Sequence, residues 1–301
     1  MASTPPFSHI LVPYDGSDPA RAALKAAIAV AKDGVRIALV SIIDETALIA
    51  DATETMVAYD PTPIMEQLDA EGRSLLDEAA AQCRAAGIVP TQDLVHDKPV
   101  AGILSNGEKH GCDLIVMGTH ARSGVARTFL GSTTEGVLRL SRVPVLTVRT
   151  VDHVAPAPLA SVIVGVDDSA PSDAAVAVAA RLARAAGAKI TAVYAVDTLH
   201  LYENAANFGF DPEPLAVDMR AGGQTIVQAA LAHASLPADT SVAVVEGEPV
   251  VTIVATAKER GATLIVVGTH GRRGVRRFVL GSVAEHVVRT SEIPVLVVPV
   301  S

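Results

Sequence analysis

Short apolar runs alternate with longer segments of helical spacing throughout the 301-residue chain. The first run, residues 9–14, precedes a segment in which Leu24 and Ala27 lie on one helical face, and a second run follows at residues 36–43. Such runs are typical of strands buried on both faces, and the spacing between them is typical of amphipathic helices. The pattern therefore predicts strands that alternate with helices.

The same alternation occurs twice along the chain. The predicted strands are residues 9–14, 36–43, 91–95, 114–117 and 143–148 in the first half, and residues 162–166, 189–196, 241–245, 264–267 and 293–298 in the second half. The main predicted helices include residues 64–86, 100–109, 174–186, 215–234 and 250–260. This order specifies parallel sheets with right-handed crossovers, so each half is predicted to be a doubly wound α/β domain. The predicted domains are residues 1–150 and 161–301, and the aperiodic, proline-containing residues 151–160 form the linker.

Local signals predict where some elements begin and end. Asp18, directly before a proline, predicts an N-cap, and Gly34 and Gly187 predict the ends of the first helix of each half. Residues 45–63 and 198–214 show no regular pattern. They are predicted to be long irregular segments of the kind that often act as lids.

One loop sequence follows the fourth predicted strand of both halves. It reads GTHARSGVARTFLGS at residues 118–132 and GTHGRRGVRRFVLGS at residues 268–282. Glycines let the backbone approach an anion, and the N-terminus of the following helix offers unpaired N–H groups. Ser132 and Ser282, each with a glutamate three residues later, fit a capping box that would begin this helix. The loop is therefore a candidate phosphate-binding element.

The spacing of the second copy resembles the ATP-binding signature of the universal stress protein family. This copy reads Gly268-x2-Gly271-x9-Gly281-Ser282. The first copy has Ala121 where the family pattern has its second glycine. The resemblance extends over nearly the whole chain as two tandem domains. It implies two Rossmann-like five-stranded parallel sheets, each with strand order 3-2-1-4-5.

In that order strands 1 and 4 are neighbours where the winding reverses, and ligands of such sheets bind at the carboxyl ends of the strands at this point. By resemblance, an adenine and its ribose would lie between a residue at the end of strand 1 and one at the end of strand 2. The loop would hold the phosphates and ribose. The implied residues are Asp15, Ile42, Gly118, Gly131, Ser132 and Thr133 in the first half, and Asp167, Ala195, Gly268, Gly271, Arg272, Gly281, Ser282 and Val283 in the second.

Two of these aspartates and the two histidines of the loops are also compatible with purely structural roles. Asp15 and Asp167, taken alone, are typical of turn or cap residues as well. His120 and His270 are expected to fix the loop backbone, because no second metal ligand lies at suitable spacing in the loop. No protein metal site is therefore expected, although ATP would bring Mg²⁺ with it.

The composition and charge of the chain limit the classes of binding partner that are expected. Half of the residues are apolar but only 3% are aromatic, and the net charge is −9. An acidic surface disfavours nucleic acids and anionic membranes as partners. Arginines nevertheless gather in the two glycine loops, which suits a small polyanion. Cys83 and Cys112 form no disulfide framework, no apolar run is long enough to span a bilayer, and the first residues lack signal-peptide character, so a cytoplasmic protein is expected.

Three functions remain open at this level. The first is an ATP-binding stress-response regulatory protein without dedicated catalysis, since no nucleophile and base pair is evident and the P-loop sequence is absent. The second is a slow ATPase or phosphoryl-transfer enzyme of the same fold. The third is a scaffold that has lost nucleotide binding.

Two further expectations concern the sheet edges and the difference between the halves. The apolar fifth strands would be an aggregation hazard if left bare, so they are predicted to pair antiparallel and to form a pseudo-dimer within the chain, as in the family's dimer. Dimerisation of the whole chain is also expected. The second half is predicted to be the better nucleotide site, because Ala121 adds a methyl group where the family pattern has glycine.

Overall fold

A computed structural model describes residues 5–31, 34–45, 62–119, 130–149, 159–236, 240–269 and 280–300 of the chain. These residues divide into two compact units, one built on the first five strands and the other on the last five. Most of the predicted linker and the central parts of both glycine loops lie outside the described residues.

The first unit is a five-stranded parallel sheet. Its elements in chain order are β1 (His9–Pro13), α1 (Asp18–Val30), β2 (Arg36–Ile43), α2 (Thr62–Ala85), β3 (Thr91–His96), α3 (Pro99–Lys109), β4 (Leu114–Thr119), α4 (Ser132–Leu140) and β5 (Val145–Arg149). The strands follow the order β3-β2-β1-β4-β5, and all four pairings are parallel.

The second unit repeats this plan with one additional helix among the described residues. Its elements are β6 (Ser161–Gly165), α5 (Ala170–Ala186), β7 (Lys189–Val196), α6 (Leu199–Phe208), α7 (Glu213–His233), β8 (Ser241–Glu246), α8 (Pro249–Glu259), β9 (Leu264–Gly268), α9 (Ser282–Thr290) and β10 (Val295–Val298). The order is β8-β7-β6-β9-β10, again with parallel pairings. The predicted fold class and the strand order 3-2-1-4-5 are therefore confirmed.

The central strands supply the core of each unit. Leu11 of β1 pairs with Ile115 of β4, and Ile163 of β6 pairs with Ile265 of β9; all four side chains are buried. Continuous burial along these strands means that both faces of the sheet are covered, as their unbroken apolar runs predict. Alanines dominate the buried faces of α1 and α5, and their small side chains allow these helices to approach the sheet closely.

The start of α1 differs from its prediction by one residue. Ser17, not Asp18, is the N-cap, because Ser17 has extended backbone angles and its Oγ accepts a hydrogen bond from the N–H of Ala20 at 3.3 Å. The helix ends at Val30, well before the predicted stop at Gly34. In the second unit the predicted stop is confirmed, since Gly187 follows α5 with a φ of 66°.

The prediction of an irregular segment at residues 198–214 is wrong. This segment contains α6, and α7 begins at Glu213. Residues 199–208 contain neither glycine nor proline, and the helix ends at Gly209 in the left-handed conformation that glycine adopts readily. The Oγ1 of Thr198 donates to Glu246 at 3.3 Å and fixes the start of the helix. The corresponding residues 46–61 of the first half lie outside the described residues.

Two adjacent glycines in α7 have opposite packing requirements. A Cβ on Gly222 would meet nothing within 4 Å, whereas a Cβ on Gly223 would lie 2.6 Å from the ring of Tyr194 and 3.2 Å from Val244. Glycine inside a helix is intrinsically unfavourable relative to alanine. Gly223 is therefore explained by packing against β7 and β8, and Gly222 is not.

We expect Gly222→Ala to stabilise the protein by about 0.5–1 kcal/mol through helix propensity alone. We expect Gly223→Ala to destabilise it by about 1–3 kcal/mol, because the added methyl group overpacks the contact with Tyr194. Differential scanning calorimetry of the two variants should show unfolding transitions shifted in opposite directions. A stabilising effect of Gly223→Ala would mean that α7 does not lie against the sheet as closely as the structure shows.

Candidate functional site

The carboxyl ends of β1, β2 and β4 meet at one edge of the first sheet. Pro13 of β1 pairs with Val40 of β2, so Asp15, two residues later, is level with Ile42. Gly118 lies near the end of β4, the other neighbour of β1. Three residues from distant parts of the sequence are thus placed at the point where the winding of the sheet reverses.

The second sheet places its own residues in the same way. Gly165 of β6 pairs with Val193 of β7, so Asp167 is level with Ala195. Gly268 ends β9, which is the other neighbour of β6. Both halves therefore present a carboxylate, a strand-2 side chain and a glycine at equivalent positions.

The two halves differ in the size of the strand-2 side chain. Ile42 is half-buried, and its Cδ1 lies so close to Gly102 of α3 that a Cβ there would be 2.8 Å away. In the second half the strand position holds only the methyl group of Ala195. The edge of the second sheet therefore carries less side-chain bulk beside its carboxylate.

Both aspartates shape the turn that follows the first strand of their unit. The Oδ1 of Asp15 accepts a hydrogen bond from the N–H of Ser17 at 3.0 Å. The Oδ1 of Asp167 accepts from the N–H of Ser169 at 3.2 Å and from its Oγ at 2.5 Å. The sequence was also compatible with a structural role for these aspartates in a turn. This role is confirmed for Oδ1 of each carboxylate. In each of these turns the bonds are made to Oδ1, and Oδ2 accepts no hydrogen bond from the described residues.

The residue after each aspartate has a left-handed backbone. Gly16 has a φ of 72° and Asp168 a φ of 64°. Glycine adopts this conformation without strain, and aspartate tolerates it better than most residues. The shared conformation directs the chain from the strand into the serine-capped helix in both units.

A polar network supports this turn in the first unit. The hydroxyl of Tyr14 donates to Glu78 of α2 at 2.9 Å, and Arg21 pairs with the same carboxylate at 3.2 Å while donating to the carbonyl of Gly16. Burial and the neighbouring Glu78 raise the pKa of Tyr14 to about 12. The phenol therefore remains a neutral hydrogen-bond donor near neutral pH. The corresponding residue of the second unit is Val166, which has no hydroxyl group. Comparison of the two halves therefore shows that the tyrosine is specific to the first half, but it does not show the hydrogen bonds that the tyrosine makes.

The first glycine of each loop has a packing role that the sequence did not reveal. A Cβ on Gly118 would lie 2.3 Å from the carbonyl carbon and oxygen of Pro19, and a Cβ on Gly268 would lie 2.5 Å from the carbonyl carbon of Pro171. These prolines are in the first turns of α1 and α5. Glycine is required here because the start of a helix packs directly on the end of the fourth strand. Contact with a ligand is not needed to explain it.

The capping box predicted at the next helices is wrong. Gly131 and Gly281 are the N-caps, with extended ψ values of 141° and 145°, and glycine has no side chain that could cap the helix. Ser132 and Ser282 are instead the first helical residues. The helices start one residue after the glycine, which leaves each serine hydroxyl inside the first turn. Glu285 pairs with Arg289 at 2.7 Å within the helix.

The N-termini of α4 and α9 are suited to binding an anion. The first N–H groups of an α-helix have no acceptor within the helix, and the helix dipole makes this end positive. In α4 these residues are Ser132 and Thr133, and in α9 they are Ser282 and Val283. Ser132 and Ser282 are exposed, whereas Val283 is half-buried. The two helix starts can therefore donate backbone hydrogen bonds to a phosphate at the edge of the sheet.

Hydrogen bonds hold these helix starts beside the fourth strands. The N–H of Gly281 donates to the carbonyl of Thr269 at 2.6 Å. In the first unit the Oγ1 of Thr134 donates to the carbonyl of Gly118 at 3.1 Å. Each loop thus leaves and returns at the same point of its sheet. Ala121, Gly271, Arg272 and both loop histidines lie outside the described residues.

The described ranges contain neither a metal cluster nor a membrane-spanning helix. No group of three or more His, Cys, Asp or Glu side chains there is arranged to hold a metal ion. None of the helices in the described part of the chain combines the length and apolar character needed to span a bilayer.

Comparison with known proteins identifies the family. The model of the universal stress protein family matches residues 6–149 and again residues 159–299. Universal stress protein Rv2005c of Mycobacterium tuberculosis strain H37Rv is 30% identical over 236 residues, which cover 77% of this chain and 75% of that protein. Universal stress protein Rv2623 of the same strain is 28% identical over 256 residues, 82% of each chain.

A solved structure gives a matching likeness in fold. The crystal structure of a universal stress protein from Archaeoglobus fulgidus DSM 4304 aligns with 97% of this chain and 98% of its own, at 24% identity and a TM-score of 0.72. The tandem arrangement is thus found along the full length of another chain. Together with the repeated family match, these similarities show that the chain belongs to the universal stress protein family and carries the family's domain twice.

Proposed function

We propose that the chain is an ATP-binding regulatory protein of the stress response, located in the cytoplasm. One observation carries the proposal: in both units an aspartate and a helix N-terminus that begins after a glycine lie at the same edge of a doubly wound sheet, where its winding reverses. A carboxylate can accept hydrogen bonds from ribose hydroxyl groups, and a helix start can donate them to phosphate. The site therefore offers a partner to both the ribose and the phosphates of a nucleotide. Mg²⁺ would bind only as part of a complex with the nucleotide.

The second unit should bind the nucleotide more tightly. Its loop sequence keeps Gly271 and contains more arginine than the first, where Ala121 replaces the glycine. If this position needs a positive φ, alanine costs roughly 1 kcal/mol, and close approach of phosphate would add a steric penalty. The smaller Ala195 also leaves more room beside Asp167 than Ile42 leaves beside Asp15. A difference of about 1.4 kcal/mol corresponds to about tenfold in affinity.

Isothermal titration of ATP into Gly281→Val and Gly131→Val variants tests this order. We expect Gly281→Val to abolish most of the high-affinity binding and Gly131→Val to leave it nearly intact, since valine would obstruct the N-cap of only one helix. Circular dichroism should first establish that both variants are folded. The opposite pattern would assign the tighter site to the first unit, and a flat titration of the wild-type protein would support a scaffold that has lost nucleotide binding.

Asp167→Asn tests the carboxylate with little structural change. Asparagine keeps an Oδ1 acceptor for Ser169 and replaces Oδ2 with an amide, so the turn is retained while the proposed ligand contact is lost. We expect ATP affinity to fall by about tenfold or more, because a charge-assisted hydrogen bond contributes roughly 1.5–3 kcal/mol. Asp15→Asn is the matched control and should affect only the weaker site. Unchanged affinity in Asp167→Asn would remove this residue from the site.

We further propose that the two halves pair through β5 and β10 as an intramolecular pseudo-dimer, and that whole chains form homodimers. The segments that contain these strands read VPVLTV and IPVLVV, which are almost free of charge and unsuited to exposed sheet edges. Amide hydrogen exchange of the full-length chain provides the measurement. Protection should extend to every amide of Val145–Arg149 and Val295–Val298, whereas rapid exchange of alternate amides in both strands would contradict the pairing.

A further inference from the structure

Three polar residues, here called the His96 latch, close a corner of the first unit at the carboxyl ends of β2 and β3. His96 is the last residue of β3, Glu45 follows β2, and Asp69 lies in the first half of α2. The Nδ1 of His96 lies 2.6 Å from Oε1 of Glu45, and its Nε2 lies 3.0 Å from Oδ1 of Asp69. The ring therefore joins the ends of two strands to the long helix.

The protonation state of the ring decides whether both contacts are favourable. An ionised carboxylate only accepts hydrogen bonds, so Nδ1 must carry a proton to bond Glu45. In a neutral ring Nε2 would then present a lone pair to Oδ1 of Asp69. This oxygen is buried, and no described residue donates a well-aligned hydrogen bond to it. Only the imidazolium form of His96 therefore offers a favourable contact to both carboxylates at once.

Other charged groups lie near the latch. Arg73 approaches Oδ2 of Asp69 at 4.0 Å, although its own side chain is 70% exposed. Asp44 directly precedes Glu45 in the chain. The carboxylate of Asp97, the residue after His96, accepts a hydrogen bond from the N–H of Lys98 at 2.7 Å. Among these types of side chain, only an imidazole ordinarily changes its charge between about pH 5 and about pH 8.

The second unit closes the equivalent corner with different residues. The pairing of β7 with β8 ends at Glu246, just as the pairing of β2 with β3 ends at His96. Thr198 lies two residues after β7, as Glu45 lies two residues after β2, and its Oγ1 donates to Glu246 at 3.3 Å. A carboxylate thus takes the place of the imidazole at the end of the third strand.

On the long helix Arg220 takes the place of Asp69. Each lies three residues before a glycine, Gly72 or Gly223, whose lack of a Cβ allows the helix to pack on equivalent residue pairs of the second and third strands. The helix position and the strand-end position have therefore exchanged the sign of their charges between the two units.

The cation of the second corner is permanent. Arg220 donates to Glu246 and, at 2.6 Å, to Glu213. These hydrogen bonds, that to Glu213 first, raise the pKa of Arg220 above its already high ordinary value. A guanidinium group does not lose its proton in proteins. The second unit thus has a version of the latch that does not respond to pH.

We propose that His96 is a pH-sensitive latch of the first unit. Its imidazolium form ties Glu45 and α2 to the end of β3, and loss of one ring proton releases this corner, whereas the Arg220 corner of the second unit stays closed. Because the closed latch holds a proton that the open latch gives up, closing is favoured as the pH falls. The latch does not depend on whether the chain binds a nucleotide.

Hydrogen exchange of the full-length protein without nucleotide, followed by mass spectrometry at about pH 6 and about pH 8, tests the latch. Protection is corrected for the intrinsic pH dependence of amide exchange. We expect the protection of residues 66–73 of α2 to fall about threefold between the lower and the higher pH, and that of residues 217–224 of α7 to stay unchanged. Equal protection of residues 66–73 at both pH values, or the same fall in residues 217–224, would overturn the proposal.

Substitutions of His96 isolate the ring from other titrating groups. His96→Gln cannot become a cation, so residues 66–73 should show the lower protection at both pH values. His96→Arg supplies a permanent cation and should give the higher protection at both. His233→Gln is the matched control, because this exposed histidine lies on α7 of the second unit, and it should leave the response unchanged. A pH response that persists in either His96 variant would contradict the latch.

Asp69→Asn provides a second route if a His96 variant does not fold, as circular dichroism would show. An asparagine amide can donate to an unprotonated Nε2, so the corner no longer needs a second ring proton. We expect the protection of residues 66–73 at about pH 8 to rise to its value at about pH 6, and the pH response to disappear. A response equal to that of the wild-type protein would exclude the latch.

His9, another histidine of the first unit, acts in the opposite sense. Burial, and next the charge of Arg36, lower the pKa of His9, so acid introduces a charge on a buried ring and weakens the unit. His9 is present in the wild-type protein and in every latch variant, so comparison at one pH removes its contribution. Protection of residues 66–73 that falls toward acid in the wild-type protein would overturn the proposal.

Discussion

The close contact between a helix start and the end of a strand organises both units. Pro19 packs on Gly118, and Pro171 packs on Gly268, at distances that exclude any Cβ. This contact fixes the first helix of each unit over its fourth strand. Because the aspartate turn leads directly into that helix, the turn and the glycine loop are brought to the same edge. The geometry of the candidate site therefore depends on a packing contact that involves no functional group.

The sequence predicted the parts of the fold that depend on repeated pattern. Unbroken apolar runs located the central strands, and strand–helix alternation indicated parallel sheets. Features that depend on a single residue, such as the N-caps of helices, were harder to predict. Ser17 rather than Asp18 caps α1, and Gly131 and Gly281 rather than the serines after them cap α4 and α9. In each case several residues offered suitable chemistry, and only the backbone angles selected one of them.

The candidate site was predicted in outline for a different reason. Aspartates and glycines far apart in the sequence meet only if strand 1 lies beside strand 4, and the resemblance supplied that strand order. Their individual roles required coordinates. The Oδ1 atoms of Asp15 and Asp167 serve the turns, and Gly118 and Gly268 serve helix packing. The helix α6 escaped prediction because only Ala205 of its ten residues is buried, and periodicity identifies a helix most clearly when a whole face is buried.

The sequence of the second half contains two segments of opposite charge. Its glycine loop contains Arg272, Arg273, Arg276 and Arg277, whereas residues 197–219 contain carboxylates and neither lysine nor arginine. A uniform acidic surface would repel ATP, and a uniform basic surface would attract nucleic acid without selectivity. Segregation of the charges avoids both outcomes in a chain with a net charge of −9.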